Sequence, residues 1–299
     1  MPAPKITPDD FAKILPSICK RDTSSNPDGW GENNPLWGHC AIVSLSAKTL
    51  FGGKILRGQL GGWVQYSQLR THYWNQISSD DIIDFTAPQF QGHRPDMLPE
   101  EKTVEYILYD PETKHIREDT LKRYRLFVSR LIRELNPDAP IVNDPIWQMC
   151  IETALEGLCQ KMRFGCVIKY GAEVIYSGAN QPIPPLKSMC DPKCIRFGIQ
   201  SRTESMIGAC GHAEELGIWS IIKRGMDPKK CDLYVAGLWN DGFPSFKTTA
   251  DFTCLRCAVP LYHAGIKTIH VPTKYEWLSL SAEEAIETAK AYALKQKTI

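Results

Sequence analysis

Between residues 119 and 135 apolar side chains recur at helical spacing. Leu121, Tyr124, Val128, Leu131, Ile132 and Leu135 fall on one side, and Arg, Lys and Glu fill the other. The spacing predicts an amphipathic helix with one face on a core and one in solvent. Three prolines follow within nine residues, at Pro137, Pro140 and Pro145, and read as linker punctuation. The expected organisation is therefore a first domain over 1–136, a linker over 137–145 and a second domain over 146–299.

In the first part, Ala41 to Leu50 is an apolar segment of helical character that stops at Phe51-Gly52-Gly53. His72 to Asn75 and Ile82 to Phe85 read as short strands joined by the polar turn Ser78-Ser79-Asp80-Asp81. In the second part the pattern changes. Ile146 to Lys161 reads as a helix with Trp147, Cys150, Ile151, Ala154, Leu155 and Leu158 inward, and two strands, Phe164–Tyr170 and Val174–Ala179, meet at Gly171-Ala172. A strand over 232–239, a helix over 254–263, a strand over 266–271 and a helix over 282–295 complete the series. Strands alternating with helices predict an α/β domain with a mainly parallel central sheet and helices on both faces.

Composition adds limits. Of 299 residues, 43% are hydrophobic and 23% charged, which suits ordinary globular cores. No apolar run approaches eighteen residues, so no membrane span is expected. The first residues lack a basic start, an apolar core and a small-residue cleavage site, which predicts a cytoplasmic protein. Eleven cysteines in such a chain point to metal binding or thiol chemistry rather than a disulfide framework. From residue 146 onward eighteen Lys and Arg face fifteen Asp and Glu. So weak a positive balance argues against a nucleic-acid substrate, whose phosphates call for a concentrated basic face.

The chemistry-bearing stretch runs from Cys210 to Cys257. It holds His212-Ala213-Glu214 and, about forty residues on, Cys254-Leu255-Arg256-Cys257. One imidazole and two thiolates suit tetrahedral Zn2+ and leave a fourth position for water. Glu214, two residues from the His, is better placed as a proton carrier beside the ion than as a ligand. An H-x-E motif followed by P-C-x-x-C marks zinc nucleobase deaminases; here Thr253 stands at the proline position.

From about Pro145 to Lys297 the chain resembles the cytidine deaminase superfamily, and within it the deoxycytidylate branch. The resemblance rests on Ser177-Gly178-Ala179-Asn180, Ala209-Cys210-Gly211-His212-Ala213-Glu214-Glu215 and Thr253-Cys254-Leu255-Arg256-Cys257-Ala258. It implies a three-layer αβα fold, zinc on His212, Cys254 and Cys257, catalysis by Glu214, a nucleotide contact from Asn180 and a homo-oligomer. The implied reaction converts a cytosine nucleotide or nucleoside to its uracil form. It also implies that the insertion over 180–205 holds phosphate contacts, for which Lys187, Lys193, Arg196 and Arg202 are candidates, or a second zinc on Cys190, Cys194 and Cys210. Two other readings stand beside it. One is deamination of a base in single-stranded DNA or RNA. The other is a zinc-stabilised binding module in which a thiol such as Cys210 closes the coordination shell, although such a module has no use for Glu214.

Cys40 opens the first predicted helix, where the helix dipole favours a thiolate. With His72 and Asp84 it has the composition and chain order of a nucleophile, base and orienting acid. A buried small hydrophobe and a structural hydrogen-bonded pair are the alternatives. Trp37-Gly38-His39-Cys40, the run from Phe51 to Gly58, His72 to Asn75 and Ile82 to Thr86 resemble the YunG family. That resemblance covers roughly the first 130 residues and implies a compact papain-like or transglutaminase-like α+β fold.

Overall fold

The computed structural model describes residues 6–60, 66, 69–157, 159, 161–190, 194–196, 198–199, 208–239, 242–248 and 252–296. They form two compact units, 1–134 and 135–299.

The first unit starts with α1 (Pro8–Ile18), whose N-terminus is capped by the Thr7 hydroxyl accepting from the Asp10 amide at 3.1 Å. Helix α2 (Cys40–Phe51) buries residues on most of its circumference, including Ile42, Val43, Leu45 and Ala47, so it lies inside the unit. Strands β1 (Lys54–Gln59), β2 (Thr71–Gln76), β3 (Ile82–Ile83) and β4 (Glu100–Lys102) form an antiparallel sheet in the order β3-β2-β1-β4. The turn from α2 into β1 needs glycine at 53. Its φ is +73°, and a Cβ there would meet the Gln76 carbonyl at 2.1 Å. The strand expected over Ile82–Phe85 is shorter than its pattern suggests. Only Ile82 and Ile83 pair with β2, and Phe85 leaves the ladder to meet Phe11 edge-on at 5.1 Å. After α3 (Val104–Leu108), α4 (Glu118–Leu135) buries Leu121, Tyr124, Val128, Leu131 and Ile132 of the expected stripe together with Phe127, while Leu135 at its end is half-buried.

In the second unit, residues 137–145 do not hang free. Ile141 and Val142 are buried in a short 3-10 turn, and the Asp144 carboxylate accepts from the Ile146 and Trp147 amides at 2.8 and 2.9 Å, starting α5 (Pro145–Ala154). Helix α5 ends at Ala154, well short of the expected Lys161; Leu158 lies outside the described residues. There follow β5 (Met162–Tyr170), β6 (Glu173–Ala179), β7 (Gln181–Pro182), β8 (Cys210–Gly211), α6 (Ala213–Lys223), β9 (Cys231–Trp239), α7 (Leu255–Ala264), β10 (Thr268–Pro272), β11 (Trp277–Leu280) and α8 (Ala282–Gln296).

The main sheet has the order β11-β10-β9-β5-β6. The mainly parallel sheet is corrected here: only β9 and β10 pair in parallel, and the other three pairings are antiparallel. The cause is where the first hairpin goes. β6 and β9 run in the same direction, joined through α6 as a β-α-β pattern requires, but β5 folds back from β6 and occupies the place between them. Helices cover both faces. On one, α5 rests on β5 so closely that a Cβ at Gly165 would sit 1.9 Å from the Cys150 carbonyl. On the other, Cys166, Ile168, Leu233, Val235, Ile269 and Val271 share a dry core with Ile218 and Ile221 of α6, Leu261 of α7 and Ala285 of α8.

Candidate metal centre and catalytic residues

Because β6 and β9 point the same way, the helices that follow them begin at the same edge of the sheet, the carboxyl end where open α/β folds place their sites. His212 is the extended N-cap of α6 and Cys254 that of α7, with φ, ψ of −73°, 151° and −82°, 153°. Cys257 then lies in the first turn of α7 and is buried. An ion pair ties the two helix starts: Arg256 donates to Glu215 Oε2 from Nε at 3.1 Å and Nη2 at 3.0 Å, and the same oxygen accepts from the His212 amide at 3.5 Å.

This brings three donors together. His212 Nδ1 is 3.4 Å from Cys254 Sγ and 3.2 Å from Cys257 Sγ, and all three donor atoms lie within 4.8 Å of one another. Zinc bonds of about 2.3 Å to sulfur and about 2.0–2.1 Å to nitrogen put tetrahedral N and S neighbours roughly 3.6 Å apart, so a zinc ion fits with small adjustments. The thiols are already unequal. Hydrogen bonds from Cys257 and then His212 hold Cys254 well below the usual thiol range, while Cys254 drives Cys257 up. One thiolate is thus favoured before any ion arrives.

Glu214, in the first turn of α6, keeps part of its side chain accessible while burial of the carboxyl, and then the Cys254 sulfur, push its pKa up. His212 and Lys247 act in the opposite direction. Thr253, which takes the proline position of the motif, is buried, and its hydroxyl has no hydrogen-bond partner among the described residues. Asn180 is also buried. Its Oδ1 accepts from the Phe164 amide at 2.8 Å and its Nδ2 donates to the Met162 carbonyl at 3.0 Å, so it clamps the first peptides of β5. The Asn180 side chain also hydrogen-bonds to Cys159.

Beside this centre lies a second group of thiols. Cys190 Sγ is 4.0 Å from Cys210 Sγ, Cys190 also hydrogen-bonds to Cys194, and Cys210 hydrogen-bonds to Cys159. The bond to Cys210 pulls Cys159 down to about 5 and pushes Cys210 up. Cys159 carries no spacing signal, since it stands alone in the loop before β5, 31 residues ahead of Cys190. Cys210 faces these thiols, which argues against its closing the shell around His212. Lys187 is exposed, and Lys193 and Arg202 lie outside the described residues.

In the first unit Cys40, His72 and Asp84 also come together, from α2, β2 and the residue after β3. Asp84 Oδ2 is 2.7 Å from His72 Nε2, and the Cys40 thiol is in hydrogen-bonding reach of the ring. Burial opposes charge on His72, but Asp84 and Cys40 together lift it to about 9. Two partners went unmarked in the sequence: Arg94 Nε donates to Asp84 Oδ2 at 2.6 Å, and Gln89 Nε2 is 3.2 Å from His72 Nδ1.

Among the described residues no helix is long and apolar enough to cross a membrane. No curated protein and no solved structure matches the chain. Two family models do. The second unit's match supplies the missing half of the argument for the metal, because its conserved feature is a zinc-binding region and the only His/Cys/Cys cluster among the described residues has zinc geometry. Residues 7–136 match the YunG protein and residues 143–273 the cytidine and deoxycytidylate deaminase zinc-binding region, so this chain joins a part similar to the one to a part similar to the other, and its cofactor is Zn2+.

Proposed function

We propose that the second unit hydrolytically deaminates a cytosine nucleotide or nucleoside, releasing ammonia and the uracil form. One observation carries this reading: Glu214 sits one residue beyond Ala213 on the helix that presents His212, with its buried carboxyl within electrostatic reach of Cys254 and His212. A closed structural site would have no work for such a carboxyl. Zinc, held by His212, Cys254 and Cys257, would supply an acidified water as the nucleophile. Glu214 would carry two protons in turn, one from the water to the ring nitrogen of the base and one from the hydroxyl left on the ring carbon to the departing amine. Asn180 would contact the nucleotide. The weak charge balance favours a free nucleotide over a base in DNA or RNA.

We also propose that Cys159, Cys190, Cys194 and Cys210, which touch one another in pairs, draw together around a second, structural zinc, where four thiolates would leave no place for water. We further propose that the chain self-associates, and the apolar residues that α6 and α7 expose, Trp219, Ile222, Val259 and Tyr262, support this reading.

The test is ammonia release from cytidine, deoxycytidine, their monophosphates and single-stranded DNA by the zinc-loaded chain. Glu214→Gln is expected to cut release by about 10²–10⁴-fold with zinc content unchanged. No ammonia from any of these substrates would overturn the reading.

A further inference from the structure

The first unit holds a cluster that deamination does not use. We propose that Cys40, His72 and Asp84 form a second active site, a thiol acyltransferase centre that cleaves carboxamide bonds through a thioester on Cys40. The proposal is independent of the deaminase reading and concerns other residues, another unit and another bond.

Three side chains from three separate elements converge on one ring. Asp84 Oδ2 takes the Nε2 hydrogen of His72 at 2.7 Å, which orients the ring with Nδ1 3.2 Å from Gln89 Nε2, and Cys40 hydrogen-bonds to the same ring. Asp84 is itself held on both oxygens, by Arg94 Nε at Oδ2 and by the Thr86 amide at Oδ1, 3.1 Å away. The imidazole is walled in by Trp74, near-parallel at 5.8 Å, and by the edge of Phe90 at 4.8 Å. Arg94 covers Trp74 at 4.9 Å. An orienting carboxylate and a ring shielded from water are what a catalytic imidazole needs, and both are built here.

Neighbouring residues show what a merely structural role looks like in the same fold. His39, next to Cys40, points its ring nitrogens at the Trp37 and Lys20 carbonyls and the Thr23 hydroxyl, and burial pushes it down to about 4. Among the described residues its ring nitrogens meet neither a carboxylate nor a thiol. Cys19 and Cys150 are buried thiols pushed up by desolvation, with no imidazole beside them. Cys40 differs in both respects: it stands at the first position of a twelve-residue helix and faces His72. At that position its own amide hydrogen has no intrahelical acceptor and is available to an oxyanion.

In the reaction, Cys40 Sγ attacks the carbonyl carbon of the amide beside a His72 imidazolium that already holds the proton. The C–N bond breaks, and His72 gives that proton to the leaving amine. Water then attacks the thioester, with His72 accepting its proton, and the C–S bond breaks. The free acid leaves, and the sulfur and the protonated ring are restored as they began.

The experiment is alkylation of the zinc-loaded full-length chain by iodoacetamide at pH 6.5, read at Cys40 by peptide mass spectrometry. Cys40 is expected to react roughly tenfold faster than free glutathione or more. His72→Gln and Asp84→Asn should each reduce that rate about tenfold or more. A p-nitrophenyl ester should acylate Cys40 in the wild type and not in Cys40→Ser. Unchanged zinc content and hydrogen-exchange protection of β2 identify variants that have folded. If Cys40 in the unaltered chain reacts no faster than glutathione, or if folded His72→Gln keeps the wild-type rate, the pair is structural and the proposal falls.

Discussion

The His72–Asp84 pair makes the stability of the first unit depend on pH in a way whose size can be worked out. His72 is inaccessible to solvent and its pKa is lifted from an ordinary 6.5 to about 9 by Asp84 and Cys40 against the cost of burial. A raised pKa in the folded state means that folding binds a proton. The contribution is therefore fully present below pH 6.5 and is lost as the pH climbs through about 9. At about 1.4 kcal/mol per unit, the loss across that window is about 3 kcal/mol. Asp84 works the other way: its pKa is lowered against the cost of burial by His72 and then Arg94, so its share disappears in acid as the pH falls through that lowered value. Buried thiols such as Cys19 and Cys150, whose pKa values are raised, also lose their contribution in alkali, so the wild-type curve alone does not isolate His72. The difference between wild type and His72→Gln does. Urea unfolding between pH 6 and 9.5, followed by hydrogen exchange at peptides covering Thr71–Gln76, should show that difference shrinking by about 3 kcal/mol as pH rises. A difference that stays flat across the window would refute the raised pKa and the charged pair.

Three further outcomes are expected. Gly165→Ala drives a methyl into the Cys150 carbonyl at 1.9 Å and the Ala154 amide at 2.7 Å, both backbone, so α5 must lift; a loss of about 3 kcal/mol or more should appear in urea denaturation. Thr253→Val removes a buried hydroxyl without changing shape and should raise stability by about 1 kcal/mol, read as a higher urea midpoint. Cys159→Ser should lower bound zinc from about two equivalents to about one in elemental analysis, whereas Cys257→Ala should empty the other site.

What could be seen in the sequence divides along lines of distance. Helix α4 was legible because its stripe repeats every three to four residues and needs no partner to define it. The donors His212, Cys254 and Cys257 were legible because two short motifs carry fixed chemistry, and both sit at helix starts that local signals place. Sheet direction was not legible. Whether β9 pairs with β5 or with β6 is decided by packing between segments far apart in the chain, and alternation of strand and helix is the same in either case. Strand β11 was also missed, because Trp277 and Leu278 are adjacent and equally half-buried, which gives no period of two. Cys159, Gln89 and Arg94 lacked any motif and became visible only through what they touch.

Strand β8 is two residues long, held to β7 by the pairs Gln181–Gly211 and Pro182–Cys210, and His212 follows it directly. Cys210 points to one thiol group and His212 to the other centre, with Gly211 as the sole residue separating them; even a methyl there would strike Leu216 at 2.7 Å. So short a tether has no slack. Pulling Cys210 out of place is expected to drag the imidazole with it, which makes the neighbouring thiols a mooring for the metal donors: under the proposed function, their oxidation should weaken zinc retention at His212 from a distance.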